Sequence, residues 1–312
     1  MALITCPECG GNLSDKAAFC PHCGCPKSEF QKNPNILSNV EDDVKHICNL
    51  SDFDIEEGML TGYFGEDQHV AIPAEITSID SKAFADCECL KELFIPSSIT
   101  DIEPDAFVWC DSLVNIKVSD KNKCFSANNG VLFDKQGDCL LCYPPSKAEG
   151  TYIVPKGVTK IAAFAFYRCF NLTSVDIPEN VNWIGPEAFA YCNIENITIP
   201  KAMTRIMRET FKDCGLKSVV IPGNITSIGS EAFWSCDLES IVFSEGLETI
   251  ADRAFQRCTI RNLSLPNSID FIGDDAFNPL GCIETVCFQN EEQKNKFSKC
   301  FPNRAKQIVK TE

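Results

Sequence analysis

A unit of 22 to 23 residues recurs along most of this chain and constrains its fold more than any other feature. Each copy reads roughly Ile-x-x-x-Ala-Phe-x-x-Cys-x-x-Leu-x-x-Ile-x-Ile-Pro, with its phenylalanine at Phe84, Phe107, Phe166, Phe189, Phe211, Phe233, Phe255 and Phe277. Successive spacings are 23, 59, 23, 22, 22, 22 and 22 residues. So short a unit cannot bury its own apolar face, and neighbours must stack into one continuous core. The spacing predicts a β-rich repeat solenoid, an architecture that more often offers a binding surface than an active site.

Within each unit the pattern is local and readable. Apolar residues alternate in Leu93-Phe94-Ile95, Val175-Asp176-Ile177, Ile197-Thr198-Ile199, Val219-Val220-Ile221 and Leu263-Ser264-Leu265, as in short strands with one buried row. Pro96, Pro178, Pro200, Pro222 and Pro266 end these runs and turn the chain. A second short strand precedes each Ala-Phe, as in 99–102, 225–228 and 247–250, and the Ala-Phe segment reads as a turn or helical stretch with its ring in the core. At about 4.8 Å per rung the array should run about 40–50 Å. The long gap after Phe107 holds one unit and an enlarged one, where Asp134-Lys-Gln-Gly137 is flanked by apolar runs and predicts a hairpin. Residues 53–72 read as a hairpin and N-terminal cap, and 290–312 as a polar segment of helical tendency closing the far end.

The 312 residues carry a net charge of −16, which favours solubility and repels phosphate backbones and anionic membranes. No basic leader and apolar run open the chain and no apolar run reaches a membrane's thickness, so a cytoplasmic protein with no membrane partner is expected. Its 20 cysteines then read as reduced thiols and metal ligands. Two matched knuckles, Cys6-Pro-Glu-Cys9-Gly and Cys20-Pro-His-Cys23-Gly, can close one tetrahedral site, so Cys6, Cys9, Cys20 and Cys23 are expected to hold one structural Zn²⁺. His22 and Cys25 read as neighbours of that site. The metal would supply the folding energy of so small a module. Lys16, Lys27 and Lys32 balance Glu8, Asp15 and Glu29 there, which disfavours nucleic-acid binding. The expected organisation is a zinc ribbon at 1–26, a linker at 27–50, a solenoid at 51–290 with a hairpin insertion at about 119–157, and a C-terminal cap at 291–312.

The N-terminal segment resembles the zinc ribbons that open many bacterial and archaeal proteins. The string at 225–236, Ile-Thr-Ser-Ile-Gly-Ser-Glu-Ala-Phe-Trp-Ser-Cys, resembles the BspA-like, or Treponema-type, leucine-rich repeat. Its relatives at 181–192 and 269–277, with Gly130-Val-Leu-Phe-Asp and Tyr143-Pro-Pro, carry the same likeness. That resemblance covers about residues 52–290 and implies protein–protein or host-surface binding by a bacterial protein.

Seven cysteines lie three residues after a repeat phenylalanine, from Cys87 to Cys258, and read as buried thiols donating weakly to nearby carbonyls. Only His22, His46 and His69 are available as bases, and phosphate loops, nucleophile elbows and His-Glu-x-x-His are absent. A non-enzymatic protein-interaction module with no small-molecule substrate follows. Candidate partner-binding residues are Trp183, Arg205, Phe271 and Phe94 on the outward strand rows, and Trp109, Tyr191 and Trp234 on an aromatic edge. Two other readings are a surface-exposed adhesion protein and a nucleic-acid-associated regulator acting through the ribbon.

Overall fold

The computed structural model describes residues 3–5, 12–14, 49–277, 282–301 and 305–310. From residue 53 onward the chain winds as a solenoid, most coils carrying two short strands that pair in parallel with the next coil. In the longer-strand ladder, His69–Ala71, Glu92–Ile95 and Asn115–Val118 stack in register, so that Val70, Leu93 and Ile116 form one buried row. The shorter ladder sets Arg205–Ile206 against Ser227–Ile228, Thr249–Ile250 and Phe271–Ile272. Its isoleucines are buried and its first residues face outward. The expected strand at 197–199 is reduced to a single bridge between Ser174 and Asn196. Pairing in the shorter ladder also lapses between Trp183–Ile184 and Arg205–Ile206. There the phenylalanine spacing changes from 23 to 22 residues.

Proline closes the corner between the two ladders. The carbonyls of Pro178 and Pro222 accept the N–H groups of Val181 and Ile225 at 3.0 Å, forming a tight turn. In one corner the Asn180 amide reaches back to the carbonyls of Lys156 and Val158, satisfying backbone acceptors of the preceding coil.

The Ala-Phe segment is a turn and never a helix. Residues two before and two after the phenylalanine are left-handed in nearly every coil, as Glu231 (φ 56°) and Ser235 (φ 58°) are around Phe233. These side chains do not favour that conformation, so stacking imposes it. In most coils the phenylalanine N–H donates to the carbonyl of the residue before the next coil's phenylalanine, Phe166 to Ala188 at 2.7 Å, Phe189 to Thr210 at 2.9 Å and Phe211 to Ala232 at 2.8 Å. The rings then form a column, with Phe166 and Phe189 centred 4.8 Å apart and Phe233 and Phe255 5.1 Å apart. Three rings outside the repeat motif join it. Tyr63 lies 5.7 Å from Phe84, Tyr143 5.3 Å from Phe166 and Phe301 5.3 Å from Phe277.

The ends and the enlarged coil depart from expectation. The N-terminal hairpin is shorter, Phe53–Glu56 paired with Met59–Tyr63, because Glu57 and Gly58 both take positive φ and allow a two-residue turn. His69–Ala71 already belongs to the array. Within the enlarged coil, Phe125–Asn128, Val131–Asp134 and Cys139–Cys142 make a three-stranded meander, not a lone hairpin. It is no insertion: Cys139 and Leu140 pair in parallel with Lys160 and Ile161, so the meander serves as a rung. At the C-terminal end a helix, Glu291–Phe297, is capped by Asn290 accepting from the Gln293 N–H at 2.8 Å. A further strand, Lys306–Val309, pairs with Thr285–Phe288, so the array runs past residue 290.

Two apolar clusters share the core and meet at the meander. Arg168 spans the seam with a bidentate pair to Asp111 at 2.8 and 2.6 Å, and the Ser146 hydroxyl donates to the Asp111 carbonyl at 2.6 Å.

Candidate interaction surfaces

The cysteine column is structural. Cys110, Cys192 and Cys214 place Sγ 2.8 Å from the carbonyl oxygens of Phe84, Phe166 and Phe189, one coil earlier. Burial pushes the Cys142 and Cys258 thiols up to about 12. Thiols raised this far stay protonated at neutral pH, which leaves them poor nucleophiles. Among the described residues no group of three or more His, Cys, Asp or Glu side chains could hold a metal ion. The four knuckle cysteines and the 27–50 linker, save its last two residues, lie outside the described residues.

The seven candidate contact residues divide by what surrounds them. Trp183 stands outward at 36% exposure, in register with Lys160. Arg205 faces the same side one coil on, in register with Ser227. Phe271 is 52% exposed but lies at the far end of that ladder, beyond Thr249. Phe94 is half-buried between Ala71 and Lys117 on the longer ladder.

The aromatic edge is partly packed, although Trp109 is 36% exposed, as much as Trp183. Trp109 meets Tyr167 edge-on at 6.3 Å, Tyr167 meets Tyr191 at 5.5 Å, and Val108 and Ala190 complete a small cluster outside the main core. Trp234 is roofed by Lys212 and Arg257, at 5.3 and 5.1 Å from its ring, while its indole N–H donates to Gln256.

Beside Trp234 runs a chain of ion pairs. Arg208 bridges Glu187 and Glu209, Lys212 bridges Glu209 and Glu231 at 2.8 and 3.0 Å, and Arg253 closes on Glu231 at 3.3 Å. The Lys212 hydrogen bond holds Glu231 below its usual range. Burial, aided by the nearby Glu209 charge, holds Glu187 above its own. Burial opposes the charge of Lys212, but its two carboxylates outweigh that and keep the ammonium well above its ordinary value.

Five exposed apolar residues were not among the sequence candidates, namely Phe64, Ile153, Phe170, Val220 and Val242. Val220 and Val242 are 58% and 56% exposed and directly paired on the longer ladder. Both belong to the outward row already legible between core positions, so the signal was adjacency along the repeat, not hydrophobicity of one residue.

The coil geometry and the repeated Ala-Phe turn define the class of protein. The chain matches the BspA type leucine rich repeat region in six copies, over residues 63–131, 150–214 and 204–310, and it belongs to that family. Its fold is similar to that of the pneumococcal vaccine antigen PcpA, with a TM-score of 0.60 and 20% identity over 80% of this chain and 69% of that one. It is also similar to a leucine rich cell surface protein from Faecalibacterium prausnitzii, with a TM-score of 0.50 and 26% identity. That alignment covers 77% of this chain and 53% of the other, so the chain spans about half the length of that relative. No curated protein matches the sequence. Among the described residues no helix is long and apolar enough to cross a membrane.

Proposed function

We propose that this protein is a non-enzymatic interaction module whose solenoid presents side chains to a protein partner. The observation that carries the reading is the registered outward row of the shorter ladder, where Lys160 and Trp183 are held side by side on a backbone fixed by the coils beneath. Preorganised aromatic and arginine side chains lose little freedom on binding and commonly dominate interfaces. A photo-crosslinking residue at position 183 or 205 should join the protein to a partner in cells, and one at 109 or 234 should not. Crosslinks from 109 and 234 alone would move the site to the aromatic edge. None from any outward position would end the reading.

One structural Zn²⁺ on Cys6, Cys9, Cys20 and Cys23 forms part of the proposal. Leu3–Thr5 and Asn12–Ser14, which precede and follow the first knuckle in sequence, pair antiparallel. Four thiolates leave no open position, and the metal would hold the fold of that segment without a reactive site. Freshly purified protein should contain one zinc per chain by elemental analysis. The paired Cys6→Ser and Cys9→Ser variant should contain none.

A reducing, cytoplasmic setting suits the thiol column, because seven S–H groups from Cys87 to Cys258 each donate to a carbonyl. A second reading, exposure at the cell surface, draws support from the likeness to the Faecalibacterium cell surface protein. Fractionation of cells and protease shaving distinguish the two.

A further inference from the structure

Six arginines lie among the described residues, and five already have a partner inside the protein. Arg168, Arg208, Arg253 and Arg261 hold Asp111, Glu187, Glu231 and Glu284, and Arg257 lies over the Trp234 ring. Arg205 forms no ion pair among the described residues, although acids outnumber bases by 44 to 28 along the chain. Its neighbours on the adjoining rungs are neutral, although Glu248 faces outward two rungs on. The outward positions of the shorter ladder from residue 182 to 227 are Asn182, Trp183, Thr204, Arg205, Thr226 and Ser227, and Arg205 carries their only charge. Lys160 stands beside Trp183 on the other side and forms no ion pair among the described residues, though the Asp138 charge of the meander reaches it.

We infer that the face formed by Lys160, Trp183 and Arg205 docks an acidic polypeptide segment of the partner, with a carboxylate on the Arg205 guanidinium and apolar atoms against the Trp183 indole. This rests on the interaction reading above and names the chemistry of what is bound. A planar guanidinium with its donors unclaimed receives a carboxylate through two parallel hydrogen bonds. The neighbouring indole supplies apolar area at small entropic cost. Lys160 and Trp183 are on paired rungs and Arg205 lies one coil further, across the joint where pairing lapses, so the two basic groups are on the order of 10 Å apart. Carboxylates two residues apart in an extended segment lie about 7 Å apart on one side, and the long basic side chains close the difference. The patch is too short to track a phosphate backbone, and a net charge of −16 repels a long polyanion.

The test uses the full chain and fluorescein-labelled octapeptides of alternating Glu and Leu, alternating Gln and Leu, and an oligothymidine of matched charge. Fluorescence polarisation should show the acidic peptide binding at least about tenfold more tightly than the glutamine peptide. Raising salt to about 0.5 M should weaken it strongly. Arg205→Glu should weaken it at least about tenfold, Arg205→Lys less, and Trp183→Ala should weaken both peptides, all with unchanged melting temperatures. Equal binding of the acidic peptide to wild type and Arg205→Glu overturns the inference, as does no binding to wild type. Tighter, Arg205-dependent binding of the oligothymidine overturns it in favour of a nucleic acid. Crosslinks from position 183 that survive Arg205→Glu would refute the acidic-segment inference while leaving the interaction proposal standing. Their absence from every outward position would remove both.

Discussion

The Cys192 thiol sits 2.8 Å from the carbonyl oxygen of Phe166, one coil earlier, and that oxygen also accepts the Cys169 N–H at 3.2 Å. One acceptor thus joins the turn of its own coil to the side chain of the next. Cys192→Ala removes the bond between coils and leaves a small void, and should cost about 1–2 kcal/mol. Cys192→Val restores apolar bulk, with one methyl in excess, but not the donor, and should recover at most part of that loss. Chemical denaturation of the two variants measures the difference.

Alkylation at pH 8 should separate the cysteines by burial. Cys89 is exposed and should react in the native state, while Cys142, Cys192, Cys214 and Cys236 should react only after denaturation. Cys300 is half-buried with its thiol raised by burial, so it should react slowly. Rapid native labelling of Cys214, read by mass spectrometry, would contradict the column.

Phe211 is fully buried, with its ring 5.5 Å from Phe189 and 5.2 Å from Phe233. Truncation to alanine opens the column at its middle and should cost about 3–5 kcal/mol. Coils contact only their neighbours, so the loss should also divide a single unfolding transition into two. A calorimetric scan resolves this.

Gly229 and Gly215 give a paired test of backbone approach. A Cβ on Gly229 would lie 2.6 Å from the Arg208 nitrogen and 2.7 Å from the Met207 carbonyl carbon, neither of which can turn aside. Gly229→Ala should therefore destabilise by about 1–3 kcal/mol. The nearest atom to a Cβ on Gly215 is 3.5 Å away, and Gly215→Ala should be neutral or stabilise by about 0.5 kcal/mol.

The ion-pair chain should shape the pH dependence with opposite signs. Glu231 is depressed by Lys212, so its contribution is present above its ordinary 4.5 and lost as pH falls through its lower folded value. Lys212 is raised, so its contribution is present below 10.5 and lost as pH rises through its folded value. Lys212→Met should cost about 1 kcal/mol between those limits and converge with wild type outside them. Glu187 is raised by burial, so its charged form is disfavoured as pH rises past 4.5. Glu187→Gln should raise the melting temperature at pH 7 and match wild type in acid.

The periodic part of the fold was legible because one ring per coil must stack on the next, and its spacing cannot drift. Tyr143 shows where that reading stops. It lies 23 residues before Phe166 and fills the same column, but it is no Ala-Phe and is followed by proline, so the motif does not mark it. Tyr63 and Phe301 escape for the same reason. The left-handed positions were invisible, since Lys82, Glu209 and Arg253 have no local preference for positive φ and acquire it from the coils on either side. Trp109 and Trp234 looked alike in sequence to Trp183. Contacts from other coils mark the edge pair, Tyr167 against Trp109 and Lys212 with Arg257 over Trp234, although Trp109 stays as exposed as Trp183. Those contacts are legible only once coils are aligned. The knuckle chemistry depends on ligand spacing alone and needs no such alignment.

The aromatic column has a consequence for length. From Phe189 to Phe277 every joint repeats the same ring contact at the same spacing, while the closing structures lie outside that run. Gaining or losing one 22-residue coil there would leave each end its own neighbours and shift one end relative to the other by about 4.8 Å. The chain can therefore act as a ruler, with the distance between its two ends set by copy number in steps of a single β-spacing.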